Sequence, residues 1–267
     1  MLMVGLGNAG KNIVKLFKPH TKNYKIIILD EDDGVPKQDS VEKYDEHPIK
    51  FKQKGLKSHS EAMLFVCGSG KIAGASLRVL EALREYKTTI VYIVPDLEFA
   101  SDRERKRHRV HFGVLQEYTR SGMIDKMVIL DNKTLFTHAG AGTTLKYYDK
   151  VNYFIYSTFQ NLLYCQNVKP DFGRLHQKKD ISRISTIGMG KLEGEEKLLF
   201  PLDSITESCY NINIDEEDLD NDEGIIPKCQ QLVRDNKEKN RDTSFAIWKS
   251  DDGNYYYSLH STHFIQD

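Results

Sequence analysis

Three short stretches, KIIIL at 25–29, TIVYIV at 89–94 and KMVIL at 126–130, run almost without a polar interruption. A half-exposed strand alternates apolar and polar residues, whereas a continuous β-branched run suits a strand covered on both faces. The chain must therefore supply helices on either side of a parallel sheet. Further strands are expected at Leu2–Val4, Tyr24–Leu29, Ile49–Lys52, Met63–Val66, Thr89–Val94 and Lys126–Leu130, and helices at about 8–19, 72–86 and 102–120. This alternation predicts an α/β doubly wound parallel sheet up to about residue 142. A mixed, aromatic segment, TTLKYYDKVNYFIYSTFQNLLY, predicts a long helix over 143–165 that is buried along much of its length. From 166 to 267 the texture changes to separate strands with one helix near 223–237, the pattern of a smaller α+β domain.

The strand at Leu2–Val4 runs straight into Gly5, Gly7 and Gly10 and then into an amphipathic helix. Glycines let the backbone approach closely and reach positive φ. The free amides and the dipole at the helix start favour an anion, above all a phosphate. Two owners of such a loop are suggested by its neighbourhood. Asp30, at the end of YKIIILD, suits a dinucleotide-binding dehydrogenase that holds ribose hydroxyls. GLGNAG also resembles the opening of peptidyl-tRNA hydrolase, but His20 is followed by Thr21 where that family has a catalytic His-Asn pair. A second glycine loop, CGSGKIAGAS, comes after the strand ending at Cys67, and a dehydrogenase has no assigned use for it.

Bulk properties narrow the field. A net charge of −1 gives no general pull toward nucleic acid or anionic membrane. The basic run DRERKRHR at 102–109 has no interleaved aromatics and reads as a solvated helix face. Cys67, Cys165, Cys209 and Cys229 lack metal spacing, so reduced thiols and a cytoplasmic location are expected. No apolar run approaches the roughly 18 residues that a membrane span needs. HSTH near the C-terminus is expected on an exposed strand rather than around a metal, the acidic run at 215–224 as a solvated loop before a helix, and Asp131 and Asn132 as a turn.

The two glycine loops, together with the segments downstream of them, resemble the tubulin/FtsZ superfamily over most of the chain. GLGNAGKN is similar to its first phosphate loop, with Gly5, Gly7, Asn8, Gly10 and Asn12 implied as nucleotide contacts. GSGKIAG is similar to the glycine-rich signature loop and implies Gly68, Ser69, Gly70, Lys71 and Gly74. IVYIVPDLEFASDRERKRH resembles the strand and sugar-proximal loop, MIDKMVILDNKTL the next strand and loop, and YYDKVNYFIYSTFQNL the central helix, with Asn152 at the guanine-reading position. KPDFGRL resembles the loop after that helix, where the family carries catalytic acids. Asp171 stands at one acidic position, Arg174 at the other, and Lys169 replaces an asparagine. A guanidinium cannot take a proton from water.

The resemblance implies a GTP- or GDP-binding protein, with Mg2+ as accompanying cation, that assembles head to tail with itself and hydrolyses GTP weakly or not at all. Its departures, Ile72 within the signature loop and a shortened region before Met63, imply an alternative: an interaction protein on the same fold that binds no nucleotide and takes a protein partner. The end at HFIQD, without a flexible tail, favours a phage- or plasmid-type relative over a membrane-tethered one. Neither nucleic acid nor membrane is expected as a partner.

Overall fold

The computed structural model describes residues 1–20, 22–38, 40, 42–47, 49, 51, 58–140, 146–176, 180–235 and 241–267. Residues 50 and 52 of the expected strand at 49–52, the start of the long helix at 143, and residues 236 and 237 of the C-terminal helix lie outside these. The chain divides into two units, Met1–Tyr156 and Ser157–Asp267.

In the first unit, β1 (Leu2–Leu6), β2 (Lys25–Leu29), β3 (Glu61–Cys67), β4 (Lys87–Val94) and β5 (Lys126–Asp131) stand in the order β2-β1-β3-β4-β5. Each neighbouring pair is parallel, with Val4 opposite both Ile27 and Leu64. KIIIL in β2, at the end of this order, buries Ile27 and Leu29 but only half-buries Ile26 and Ile28, so the expectation of cover on both faces is not met there. The inner strands meet it: Leu2, Met3, Val4, Leu64, Phe65, Ile90, Val91 and Tyr92 are all fully buried. Each such side chain removed from water contributes about 2 kcal/mol. The helices of this unit are α1 (Gly7–Leu16), α2 (Ser76–Ala82), α3 (Asp102–Arg120) and α4 (Asn132–Ala139), and α5 (Tyr147–Asn167) continues past its boundary. α3 begins at a capping box in which Ser101 and Glu104 satisfy each other's backbone amides. The expected helix at 72–86 is shorter, with a 3-10 turn at Ala73–Ala75 leading into α2. Asp131 and Asn132 are a helix start rather than a turn. Asp131 accepts hydrogen bonds from the Thr134 backbone N–H at 2.9 Å and its hydroxyl at 2.7 Å, capping α4.

The second unit holds β6 (Phe172–Arg174), β7 (Ile184–Lys191), β8 (Lys197–Leu198), β9 (Glu207–Asp215), β10 (Asp242–Ser250) and β11 (Tyr255–Thr262), in the order β7-β11-β9-β10-β6 with β8 on β7. β9 and β10 are parallel, and the other described pairs in this unit are antiparallel. Between β9 and β10 the chain forms α6 (Glu216–Asn221) and α7 (Ile225–Asp235). Ile225, Cys229 and Leu232 of α7 pack on Tyr210, Ile212, Ile214, Ile247 and Tyr256. Ala246 and Trp248 point to the opposite face, as strand alternation demands, and meet Cys165 there. The Trp248 indole N–H donates to the Val168 carbonyl at 3.0 Å. Two expectations change. His260, Ser261 and Thr262 of HSTH are buried, because β11 lies between β7 and β9. The acidic run is helical over 216–221, with Asp215 capping α6 by accepting the Glu217 N–H at 3.0 Å, and only 222–224 form a non-helical stretch before α7.

Candidate functional site

The strand order of the first unit reverses at β1: the chain leaves β1 for β2 on one side and reaches β3 on the other. Parallel sheets bind ligands outside the carboxyl ends of the strands at such a reversal. Both glycine loops leave strands from this point, one from β1 into α1 and the other from β3 toward α2. The sequence motifs are thus adjacent in space because their strands are hydrogen-bonded neighbours.

In the first loop the glycines have separate causes. Gly7 has φ +72°, a conformation that L side chains seldom adopt. A Cβ on Gly5 would run into the Gly10 backbone, and one on Gly10 into the Phe65 carbonyl, so these two let α1 lie directly on β1 and β3. The residue before α1, Leu6, makes no side-chain cap, which leaves the first-turn amides of Gly7, Asn8 and Ala9 without the side-chain partner a cap residue supplies. Asn8 is exposed and Asn12 half-buried on the same helix. Asp30 is committed elsewhere. Its Oδ2 accepts from Lys11 Nζ at 2.6 Å and its Oδ1 from the Glu31 N–H at 2.9 Å. The Lys11 hydrogen bond holds the Asp30 carboxyl below the usual carboxylate range. A ribose would have to displace both partners.

The second loop is bonded to itself. The Gly70 N–H donates to the Cys67 carbonyl, Ala73 to Gly70 and Ala75 to Ile72, each at 3.0 Å, and Gly68 donates to Ile93 at 2.9 Å. From outside, Arg107 of α3 donates to the Ser69 and Gly70 carbonyls at 3.2 and 3.0 Å. Cys67 Sγ lies 3.5 Å from Ser69 Oγ. Gly68 sits against the Tyr92–His108 pair, whose hydroxyl and Nδ1 are 2.9 Å apart, and Gly74 against the Tyr44 ring with His111 behind it. Burial lowers the pKa of both His108 and His111 to about 4, with Arg107 adding to the effect at His111. Ile72 is 2% exposed, and its Cγ1 lies 3.5 Å from where a Cβ on Gly7 would stand. An apolar side chain therefore joins the two loops.

Lys71 is exposed beside this loop and lines a cavity of about 360 Å3 with Gln38, Glu42, Tyr44 and Gly74 on one side and Arg103, Lys106, Arg107 and Val110 of α3 on the other. The basic run is thus one wall of a pocket, and not only a solvated face. Its spacing, i, i+3, i+4, i+7, is the sequence signal that could have found it. The Arg107 contact, made across 37 and 38 residues, had none.

Asn152 is 7% exposed and shares a face of α5 with Tyr156, one turn on. Tyr156 stacks edge-on against Phe17 at 4.8 Å and its hydroxyl lies 3.2 Å from His20 Nε2, so this face of α5 is applied to the end of α1. In the second unit, Asp171 precedes the short strand β6; its N–H donates to the Ile247 carbonyl at 2.9 Å and its carboxylate accepts the Lys249 N–H at 3.0 Å. Arg174 is exposed at the end of β6. A further cluster gathers on the first residue of HSTH: His260 Nδ1 lies 2.8 Å from Ser208 Oγ, and its Nε2 lies 2.9 Å from both Ser258 Oγ and Glu196 Oε1. Ser208 and Ser258 are fully buried, so this is an internal polar network and not an exposed nucleophile. Among the described residues no group of three or more metal-ligating side chains occurs, and no helix is long and apolar enough to cross a membrane.

No family model matches the sequence, and no curated protein does. Solved structures do. The chain superimposes on the W319Y mutant of FtsZ from M. jannaschii with a TM-score of 0.71 at 13% identity, covering 99% of this chain and 91% of that one. It matches a GTPγS-form protofilament of TubZ from Bacillus thuringiensis serovar israelensis (TM-score 0.67, 13% identity, 97% and 85% covered). It also matches the GTPγS-bound protofilament of CetZ2 from Haloferax volcanii (0.65, 12%, 97% and 92%). The fold is tubulin/FtsZ-like.

Proposed function

We propose, with the tubulin/FtsZ-like fold as premise, that this chain binds a guanine nucleotide between its two glycine loops and assembles head to tail with copies of itself, turning GTP over slowly or not at all. One observation carries the reading: two glycine loops leave neighbouring parallel strands at the strand-order reversal, beside an α1 start whose cap residue leaves the first-turn amides to a ligand. That three structural neighbours include two protofilaments with GTPγS agrees with it. Gly7, Asn8, Gly10 and Asn12 would meet the phosphates from one side, Gly68, Ser69, Gly70, Lys71 and Gly74 from the other, with Asn152 reading the base and Mg2+ held chiefly by phosphate oxygens and water. The exposed loop at Asp171 and Arg174 would cap the nucleotide of the next copy. Asp171 can orient a water; Arg174 can only pair with phosphate charge, so the contact holds more than it cuts.

Calorimetric titration with GTP, GDP, ATP and NADH tests this. Guanine nucleotides should bind and the others fail, and Asn152→Ala should weaken GTP tenfold or more by removing base-edge hydrogen bonds. NADH binding with no guanine affinity would sink the proposal. A second reading, an interaction module on this fold without nucleotide, is favoured by the buried Ile72 beside Gly7. It predicts no heat with any nucleotide.

A further inference from the structure

The cavity beside the second glycine loop is lined by four cations, Lys71, Arg103, Lys106 and Arg107, and one acid, Glu42. Three of the cations recur along α3 at positions 103, 106 and 107, forming with Val110 a stripe of about 10 Å. A compact anion is gripped by groups that converge on a point, whereas a stripe of this length matches a charged segment lying alongside. Behind Gly74, one of the lining residues, His111 is 2% exposed with neither ring nitrogen hydrogen-bonded.

The second unit carries the complementary charge. Residues Asp215 to Gly224 include Asp215, Glu216, Glu217, Asp218, Asp220, Asp222 and Glu223 and no basic residue. α6, six residues and about 9 Å long, carries Glu216, Glu217, Asp218 and Asp220, with Asp215 as its cap. Lys249 Nζ holds Glu216 at 2.9 Å and Asp220 at 3.4 Å, while its own N–H donates to Asp171. One lysine thus ties the acidic helix to the exposed end loop of the same unit. Glu217 is exposed, and its backbone N–H is held by the Asp215 cap.

We infer that the basic cavity on α3 of one copy receives the acidic helix α6 of a second copy, and that this contact, with Lys106 facing Glu217, sets the polarity of assembly. The inference rests on the head-to-tail reading and adds the surfaces that make it directional: a basic face that repels its own kind and an acidic face that does the same, so that only unlike faces meet. Both surfaces are exposed, and the attraction is screened by salt over roughly 10 Å at 0.1 M.

The test is a charge swap in the full chain, read by sedimentation and light scattering with GTP at low and moderate salt. Lys106→Glu and Glu217→Lys should each raise the critical concentration about tenfold, and the double variant should return it to within about threefold of the unmodified protein. Carbodiimide crosslinking of mixed 15N-labelled and unlabelled protein should join peptides bearing residues 106 and 217 from different copies. If the unmodified protein assembles and the single reversals do so equally well, the contact is wrong while head-to-tail assembly stands. If the unmodified protein stays monomeric throughout, the assembly reading fails and takes the contact with it. Loss of guanine-nucleotide affinity in Lys106→Glu would assign the cavity to phosphate and overturn the inference, as would crosslinks confined to single copies.

Discussion

The two glycine loops look alike in sequence and are built differently. The first is held by steric necessity: Gly5 and Gly10 let α1 lie against the backbones of β1 and β3, Gly7 supplies a positive φ, and the α1 start is left without a side-chain cap. The second closes its amides on its own carbonyls, and Arg107 and two buried histidines brace it from α3 and behind. The difference teaches that a glycine motif records where backbone comes close, not what it comes close to. In the first loop the close neighbour is the sheet; in the second it is a layer of aromatic and imidazole rings.

Acidification should separate the loops most. His108 and His111 have folded pKa values of about 4 against an ordinary value of 6.5, so the unfolded chain takes up protons first as pH falls. The stability they contribute is present above pH 6.5 and is lost between there and about 4, by at most about 3 kcal/mol for each ring. Hydrogen-exchange protection, corrected for the intrinsic rate at each pH, should fall by pH 5 at residues 68–75 before it does at 5–10, and His111→Phe should reduce the acid sensitivity of urea unfolding. An equal loss of protection in both loops would show that the rings do not brace the second one selectively.

Adding a methyl group probes the same contrast at the next scale. Gly10→Ala drives a Cβ into the Phe65 carbonyl, which cannot move without its strand, and should cost about 3 kcal/mol, lowering Tm by roughly 6–12 °C. Gly74→Ala meets the Tyr44 ring, a side chain that can turn, and should cost about 1 kcal/mol. Thermal unfolding of the two variants decides it, and a reversed order would mean that the ring is the more rigid neighbour.

The smallest effect belongs to Lys11→Met. It removes the partner that depresses the Asp30 pKa, a stabilisation present above the ordinary value of 3.8 and lost as pH falls through the lower folded value. The expected loss at pH 7 is about 1 kcal/mol or less, fading as pH falls through the depressed Asp30 value. Chemical unfolding followed from pH 7 into the acid range measures it. A loss that does not fade on acidification would assign the effect to the packing of the Lys11 stem rather than to the ion pair.

How much of the fold and the candidate site was legible depended on whether the signal was local. The runs at 25–29, 89–94 and 126–130 became β2, β4 and β5, and 102–120 became α3 to the residue, because apolar continuity and a capping box lie within the segment itself. The pairing of the two loops was readable from their strands. The burial of HSTH was not: a polar strand becomes interior only when distant residues satisfy it, and the partner of His260 is Glu196, 64 positions away. The Lys11–Asp30 pair hid in the same way, since Asp30 alone looks like a free ribose acceptor. Arg107 read as one more charge on a solvated helix until its guanidinium was placed on the Ser69 and Gly70 carbonyls.

The position of β11 has a consequence for a chain still being made. It is the last strand of the second unit in sequence, yet it runs between β7 and β9, pairing with both from Tyr255 onward. A nascent polypeptide from which β9 but not β11 has emerged holds β7 and β9 without the strand that joins them, so the edges that β11 will occupy wait unpaired while translation supplies it at roughly 5–20 residues per second. A ribosome paused at that stage would present those edges to any passing chaperone, or to the same edges on a neighbouring nascent chain.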